Sequence, residues 1–278
     1  MKIGAIIQAR MSSSRLPNKV VKSLPYGSNI SVLQQVIRRV SKSKFIDEIV
    51  VATSDSNDDE RIVDIAKLEN VSYFRGSLYN VLDRFYNVAS KFGFDLIIRI
   101  TSDNPCIDSN VIDKVIQNHL DLNADYTSTA LINSFPIGIG CEVINFDALA
   151  ISYKNATESF EKEHVTPYIY KSHPDKFKIN KYFEDENYSD LRITLDTYQD
   201  YSLLCTIFDN LYEQDNFFTL DDILNLFDRK PWIKYINDDI IQKKVFDNLE
   251  EELLELIHLC DVQDLYKAKE FIENHFGE

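Results

Sequence analysis

Residues 1–19 read MKIGAIIQARMSSSRLPNK, and the reading of this stretch decides the fold. Ile3 to Ile7 (IGAII) is a short apolar run without charge, the pattern of a buried strand. It runs directly into Gln8 to Lys19 (QARMSSSRLPNK), which holds two arginines, one lysine and three consecutive serines, and no acid. In open α/β sheets the ligand crevice lies beyond the carboxyl ends of the strands. A strand ending in such a loop therefore sets cationic and hydroxyl donors where phosphates can be held. Arg10, Arg15 and Lys19 supply charge, while the loop amides and Ser12, Ser13 and Ser14 supply neutral donors. The loop matches neither G-x-x-x-x-G-K-[ST] nor G-x-G-x-x-G, so it is not one of the common glycine-rich phosphate loops.

Beyond the loop, helix and strand patterns alternate. Ile30 to Val40 has helical apolar spacing, with Arg38 and Arg39 at the end where cations suit the helix dipole. Ile46 to Thr53 and Val71 to Phe74 read as strands around a helix Glu60–Asn70 that Asp58 or Asp59 can cap. Arg75-Gly76-Ser77 is a turn before a helix that opens at Asn80. Asp95 to Thr101 (DLIIRIT) is nearly all apolar, as a central parallel strand is, and runs into Ser102-Asp103-Asn104-Pro105. Asp108 and Ser109 suit the start of the next helix, which leaves Asp103 free to point into the crevice and hold Mg²⁺. Leu191 to Thr197 (LRITLDT) reads as a further strand ending in an acid, Asp196, before a helix Tyr198–Tyr212. Two strand-end carboxylates are enough to share one Mg²⁺ with a triphosphate. Lys176 to Phe183 alternates charged and apolar residues, as a half-exposed strand or a dimer hairpin does. From Phe217 onward the pattern is helical and acidic, broken at Pro231-Trp232-Ile233. The alternation gives an α/β fold with a mainly parallel sheet.

The chain has 278 residues and a net charge of −15, which argues against a nucleic-acid surface and leaves the basic loop for a small anion. Cys106, Cys141, Cys205 and Cys260 are widely spaced with no C-x-x-C pair. Without a signal peptide they read as free thiols in a reducing cytoplasm. No apolar stretch approaches the ~18 residues of a membrane span, so no membrane insertion is expected.

The run IIQARMSSSRLPNKV resembles the opening motif of nucleotidyltransferases that make CMP-activated sugars. The nearest branch is the spore-coat polysaccharide biosynthesis (SpsF) type, related to the acylneuraminate and 3-deoxy-manno-octulosonate cytidylyltransferases. Ser12 and Asn18 stand where that branch has glycine. Five elements in order, over about residues 1 to 245, carry the resemblance. After the loop come R-G-S-x-x-x-V-L-x-R from Arg75, T-S-D-N-P with Ser102 replacing a glycine, P-x-G-x-x-x-E-V from Pro136, and L-R-x-T-x-D-T from Leu191. E-H-V-T-P from Glu163 and I-N-x-x-x-x-Q-K from Ile236 are also similar, although Lys243 and Lys244 read more safely as a solvated pair.

The resemblance implies a Rossmann-like sheet of the nucleotide-diphospho-sugar transferase type, helices on both faces and an antiparallel flap that often makes a homodimer. It implies a cytidylyltransferase domain at 1–245 and a helical extension at 246–278. Gln8, Ala9, Arg10, Met11, Ser12, Ser13, Arg15, Lys19, Arg75, Ser77, Asn80, Arg84, Thr101 and Asp103 become nucleotide-side residues, with Lys19, Arg15 and Asp103 taking part in the chemistry. Gly138, Glu142, Glu163 and His164 fall on the acceptor side, and Asp103 and Asp196 hold Mg²⁺. The implied reaction moves CMP from CTP to a small acidic acceptor and releases pyrophosphate. A glycosyltransferase of similar fold would use a D-x-D pair after a buried strand, and the acidic clusters here lie in polar loops. A non-catalytic nucleotide-binding subunit would not need both aspartates.

Overall fold

The computed structural model describes residues 1–132, 134–240 and 249–276. Contacts gather the chain into two compact units, Met1–Asp238 and Asp239–Glu278. The first unit is built on a seven-stranded sheet: β1 (Ile3–Gln8), β2 (Glu48–Ser54), β3 (Ser72–Gly76), β4 (Leu96–Thr101), β5 (Tyr126–Ser128), β6 (Glu142–Asn145) and β7 (Ile179–Lys181). Their spatial order is β3-β2-β1-β4-β6-β5-β7. β1 pairs in parallel with β2 on one side and β4 on the other, so the chain winds outward in both directions from this centre. In open α/β sheets the ligand crevice lies at such a switch.

Among the described strands only β6 opposes its neighbours, pairing antiparallel with both β4 and β5. The reversal has a consequence for the site. A reversed strand presents the loop before it, residues 136–141, at the crevice end of the sheet. The expected strand at Lys176–Phe183 is present as the short edge strand β7, parallel to β5 rather than part of a hairpin.

The helices are α1 (Val32–Val40), α2 (Glu60–Leu68), α3 (Val81–Phe92), α4 (Ser109–Leu122), α5 (Phe146–Asn155), α6 (Ser159–His164), α7 (Tyr198–Leu211) and α8 (Leu220–Arg229). They cover both faces of the sheet. Strand alternation divides the core: Ile3, Ala5 and Ile7 of β1 pack with α1, α2, α4, α7 and α8, while Ile6 packs with α3 and α5. The second unit holds α9 (Leu249–Val262) and α10 (Tyr266–Phe276), which pack on each other and bury Cys260 and Ile272. Lys243 and Lys244 lie outside the described residues. All four cysteines are free thiols. Among the described residues no helix is long and apolar enough to cross a membrane.

One expectation fails here. Leu191–Thr197 is not a strand of the sheet. It makes a single bridge, Ile137 with Arg192, and otherwise runs as an extended loop into α7. Its apolar residues Ile193 and Leu195 are fully buried, which produced the strand-like alternation. The segment is held by Ile137 N donating to Leu191 O at 2.8 Å and Ile193 N donating to Ile137 O at 2.7 Å. Gly138 makes this approach possible. Its φ is +113°, and a Cβ there would sit 2.6 Å from Thr194 N. We expect Gly138→Ala to lower unfolding stability by roughly 1–3 kcal/mol from backbone strain alone. Urea denaturation checks this, and Gly27→Ala, with φ +75° but nothing near its Cβ, separates strain from the clash.

Candidate active site

The loop after β1 is pinned from beneath by apolar side chains and from the side by one carboxylate. Met11, Leu16 and Val20 are buried, which leaves Arg10 and Ser12 exposed and Arg15 and Lys19 half-buried at the crevice. Met11 N donates to Asp59 Oδ1 at 2.7 Å, and the other Asp59 oxygen takes the Thr53 hydroxyl at 3.0 Å and Ser54 N at 3.1 Å. Asp58 or Asp59 was expected to cap the helix; Asp59 stands at the cap position of α2 but makes no capping bond. Asn18 sits at φ 58°, ψ 27°, the left-handed region that asparagine enters more readily than most residues. That accounts for one of the two positions where the branch has glycine. Ser12, the other, is not among the residues with positive φ.

Lys19 is the centre of the site. Its Nζ donates to Asp103 Oδ2 at 2.7 Å and to Asp196 Oδ1 at 2.8 Å. Arg15 Nη2 lies 3.1 Å from the second Asp196 oxygen, which also accepts from Arg192 Nη2 at 3.0 Å. Three segments far apart in sequence thus meet at one point. Two hydrogen bonds to one carbonyl bring the acids together: Leu195 N donates to Asp103 O at 2.9 Å, and the Thr194 hydroxyl reaches the same oxygen at 3.3 Å. Burial works against the Lys19 charge, but the two carboxylates outweigh it and raise its pKa above the usual lysine value. Burial likewise opposes ionised Asp196, and Lys19 with the two arginines reverses that and lowers its pKa.

Behind Asp196 lies a layer that the sequence reading missed. Asp200, fully buried, accepts from Arg192 Nε at 2.9 Å, from Asn237 Nδ2 at 2.8 Å, and from the amides of Asp196 and Thr197, both at 2.9 Å. Thr197, not Asp196, caps α7, through Asp200 N at 3.1 Å. The signal available was the T-x-x-D spacing of a capping box. Arg192 stood inside a motif already quoted, but nothing in a sequence says that a loop arginine will be buried beside two acids.

The residues expected beside the nucleotide divide into two groups. Arg75 is engaged by Glu60 at 2.5 Å and by the carbonyls of Ser54 and Ser56. Ser77 accepts from the amides of Tyr79 and Asn80, and Asn80 caps α3 through Asp83 N at 3.0 Å. These three spend their polar groups shaping the rim. Arg84 is different: it is buried under Gly76, its Nη1 reaches Ala52 O at only 3.5 Å, and its Nε has no partner among the described residues. Burial lowers its pKa, Asp59 opposes that, and nearby Arg10 adds to it. Thr101 accepts from Asn104 Nδ2 at 2.9 Å, and Asp108 caps α4 as expected.

Of the residues expected on the acceptor side, Gly138 supports the Asp196 segment, as described. Glu142 pairs with Arg99 of β4 and also takes the hydroxyls of Tyr126 and Thr166. Glu163 and His164 are exposed, and their neighbours Glu161 and Thr166 turn inward instead. Glu161 holds the amides of Thr157 and Glu158. Between His164 and Thr166, Val165 has φ 74°, ψ −54°, closed by Thr166 N donating to His164 O at 2.9 Å. A β-branched residue in this tight three-residue turn is strained by about 1–3 kcal/mol.

A parallel sheet with a basic loop and paired acids over the ends of its central strands is the layout of a nucleotide-handling enzyme. Comparison with known proteins makes this specific: the chain belongs to the cytidylyltransferase family, whose model matches residues 4–259. It is 36% identical over 233 residues to the spore coat polysaccharide biosynthesis protein SpsF of Bacillus subtilis, covering 81% of this chain and 94% of that one. It is 40% identical over 248 residues to an uncharacterized protein of Methanocaldococcus jannaschii, covering 87% and 97%. Among solved structures, a cytidylyltransferase from Leptospira borgpetersenii superposes with a TM-score of 0.79 at 30% identity, covering 88% of this chain and 99% of that one.

Asp200→Ala leaves the buried Arg192 without its main partner, so we expect a loss of roughly 3–5 kcal/mol in denaturant unfolding. The pH dependence follows from the sign of the shift. Burial opposes ionised Asp200, and Arg192 and Asn237 overcome it and hold its folded pKa below the usual value. Its contribution is full above the unfolded carboxylate value of about 3.9 and disappears as pH falls through the lower folded value. Stability measured from pH 7 to 2 should therefore fall less steeply at the acid end in Asp200→Ala.

Proposed function

We propose that this protein transfers CMP from CTP to a small acidic acceptor, an acidic sugar or a related molecule, with release of pyrophosphate, in surface polysaccharide or glycan biosynthesis. The observation that carries the reading is the Lys19 ammonium held between Asp103 and Asp196. It sets the cations suited to a triphosphate directly against the acids suited to a divalent ion. Membership of the cytidylyltransferase family and the likeness to SpsF support the nucleotide and the pathway class.

The donor set fits Mg²⁺. Asp103 and Asp196 both reach one ammonium, so their oxygens face a common small volume, and both ligands are hard. Among the described residues no group of three His, Cys, Asp or Glu side chains is positioned to hold an ion. Two carboxylates completed by phosphate oxygens and water suit Mg²⁺, which seldom has an all-protein cage. When bound, Mg²⁺ would neutralise phosphate charge and orient the reacting oxygens.

The chain's own residues do the rest. Arg10, Arg15, Lys19 and the loop amides receive the triphosphate, and the unmet Arg84 donor lies on the nucleotide side. An acceptor oxygen attacks the α-phosphorus in line. The bond from that oxygen to phosphorus forms, and the bond to the β-phosphate oxygen breaks. Lys19 and Arg15 stabilise the charge that builds on the departing pyrophosphate. Without ligand the cations and acids neutralise one another, so Lys19 and Arg15 would turn from the acids to phosphate oxygens when Asp103 and Asp196 hold the ion. In this reading residues 1–245 carry the activity, 246–278 are a helical addition, and the chain works in the cytoplasm as a homodimer, which light scattering checks.

Pyrophosphate release with CTP, UTP, GTP and ATP against a panel of acceptors tests the proposal. CTP is expected to be the substrate. Asp103→Asn and Asp196→Asn should each lose at least about 100-fold in kcat/KM, of the order of removing one transition-state contact. Near-normal turnover in either would remove the metal assignment. Lys19→Met should bind Mg²⁺ more tightly than the unaltered protein when no nucleotide is present, read by calorimetry, while losing triphosphate affinity.

A further inference from the structure

Beside Glu142, one of the residues expected on the acceptor side, lies a cation that the motif reading never singled out. Arg99 lies on β4, paired across the sheet with Glu142 on β6 and with Ile6 on β1. Its Nη1 donates to Glu142 Oε2, and its Nε donates to Gln8 Oε1 at 3.2 Å. The other Glu142 oxygen takes the hydroxyls of Tyr126 and of Thr166, the latter at 2.7 Å. Three donors therefore already occupy Glu142. The carboxylate that the family motif points to is a support, engaged from behind.

Arg99 is less fully used. A guanidinium carries five N–H donors. Its Nη2 makes no hydrogen bond among the described residues and is not sealed from solvent, and the side chain keeps 15% exposure. Stability does not explain the pair, because an apolar pair of similar volume does as well or better in a buried position. The strained turn at Val165 serves the same pair. It delivers the Thr166 hydroxyl to Glu142, so strain is spent on fixing the acid that fixes Arg99. Gln8 ties the same guanidinium to the first residue of the phosphate loop.

We infer that Arg99, through its free Nη2, binds the anionic group of the acceptor, a carboxylate or a phosphate. This rests on the nucleotidyl-transfer reading and deepens it. It gives the physical reason for an acidic acceptor: the side chain presented at this wall is a donor carrying permanent positive charge. The Glu142 carboxylate holds that donor in place and is not itself offered to the acceptor.

The test uses the full chain with CTP and three sets of acceptors: carboxylated sugars, sugar phosphates and neutral sugars. Turnover is read as pyrophosphate release. Turnover of acids alone is expected, and whether carboxylates or phosphates react identifies the anion. Arg99→Gln should raise the acceptor KM by about 10- to 100-fold, the loss of one charge-assisted hydrogen bond, while CTP affinity changes less than about threefold. Because Arg99→Gln alone leaves the Glu142 carboxylate without its counter-charge, the double variant Arg99→Gln/Glu142→Gln keeps a neutral hydrogen-bonded pair and should show the same KM effect. Turnover of a neutral sugar as good as that of any acid would overturn the inference, as would an unchanged acceptor KM in the double variant. Either result leaves nucleotidyl transfer intact. Failure of every acceptor, or of CTP to bind, sinks the transferase reading and this inference with it.

Discussion

One ammonium between two carboxylates organises the crevice. Taking three ionised groups partly out of water is costly, and mutual attraction offsets that cost only when the geometry is good. Here it is good: Lys19 reaches Asp103 at 2.7 Å and Asp196 at 2.8 Å. The contact joins the loop after β1, the loop after β4 and the approach to α7. None of the three is fixed by the sheet ladder alone. Their convergence therefore depends on this charge cluster and on the main-chain bonds beside it.

Support for the cluster comes mostly from groups that grip backbone. Asp200 takes the amides of Asp196 and Thr197, and Asp59 takes that of Met11. Leu195 N and the Thr194 hydroxyl hold the Asp103 carbonyl. Gly138 lets two chains run close enough for the Ile137–Arg192 bridge. A site braced in this way is preorganised, so little ordering is left for the ligand to bring about. The reversed strand β6 contributes by placing the 136–141 loop on the same side as the ends of the parallel strands.

Much of this was legible in the sequence, because β1 and β4 are uninterrupted apolar runs that end in polar loops. Lys19 and Asp103 followed from that geometry, and the family from five motifs in order. Asp196 was legible as an acid facing the crevice but not as a loop residue, since apolar Ile193 and Leu195 alternate with Arg192 and Thr194 as in a strand, whereas all four are buried. Arg192, Asp200 and Asn237 were opaque, because burial of a charged side chain depends on partners distant in sequence. In Glu161–Thr166 the exposed pair Glu163 and His164 drew attention by residue type. The inward groups are Glu161 and Thr166, and only the short α6 followed by the strained Val165 turn decides which way each side chain faces.

The grip of Asp59 on Met11 separates side-chain identity from loop position. What the carboxylate holds is the peptide nitrogen, so any residue that fills the same small hydrophobic recess and carries an N–H leaves the loop where it is. Proline, which has no such hydrogen, is the one replacement that would release it. Exchange among aliphatic residues at position 11 is thus compatible with an unchanged loop path, whereas loss of the Asp59 carboxylate would free the Met11 amide, the Thr53 hydroxyl and the Ser54 amide together.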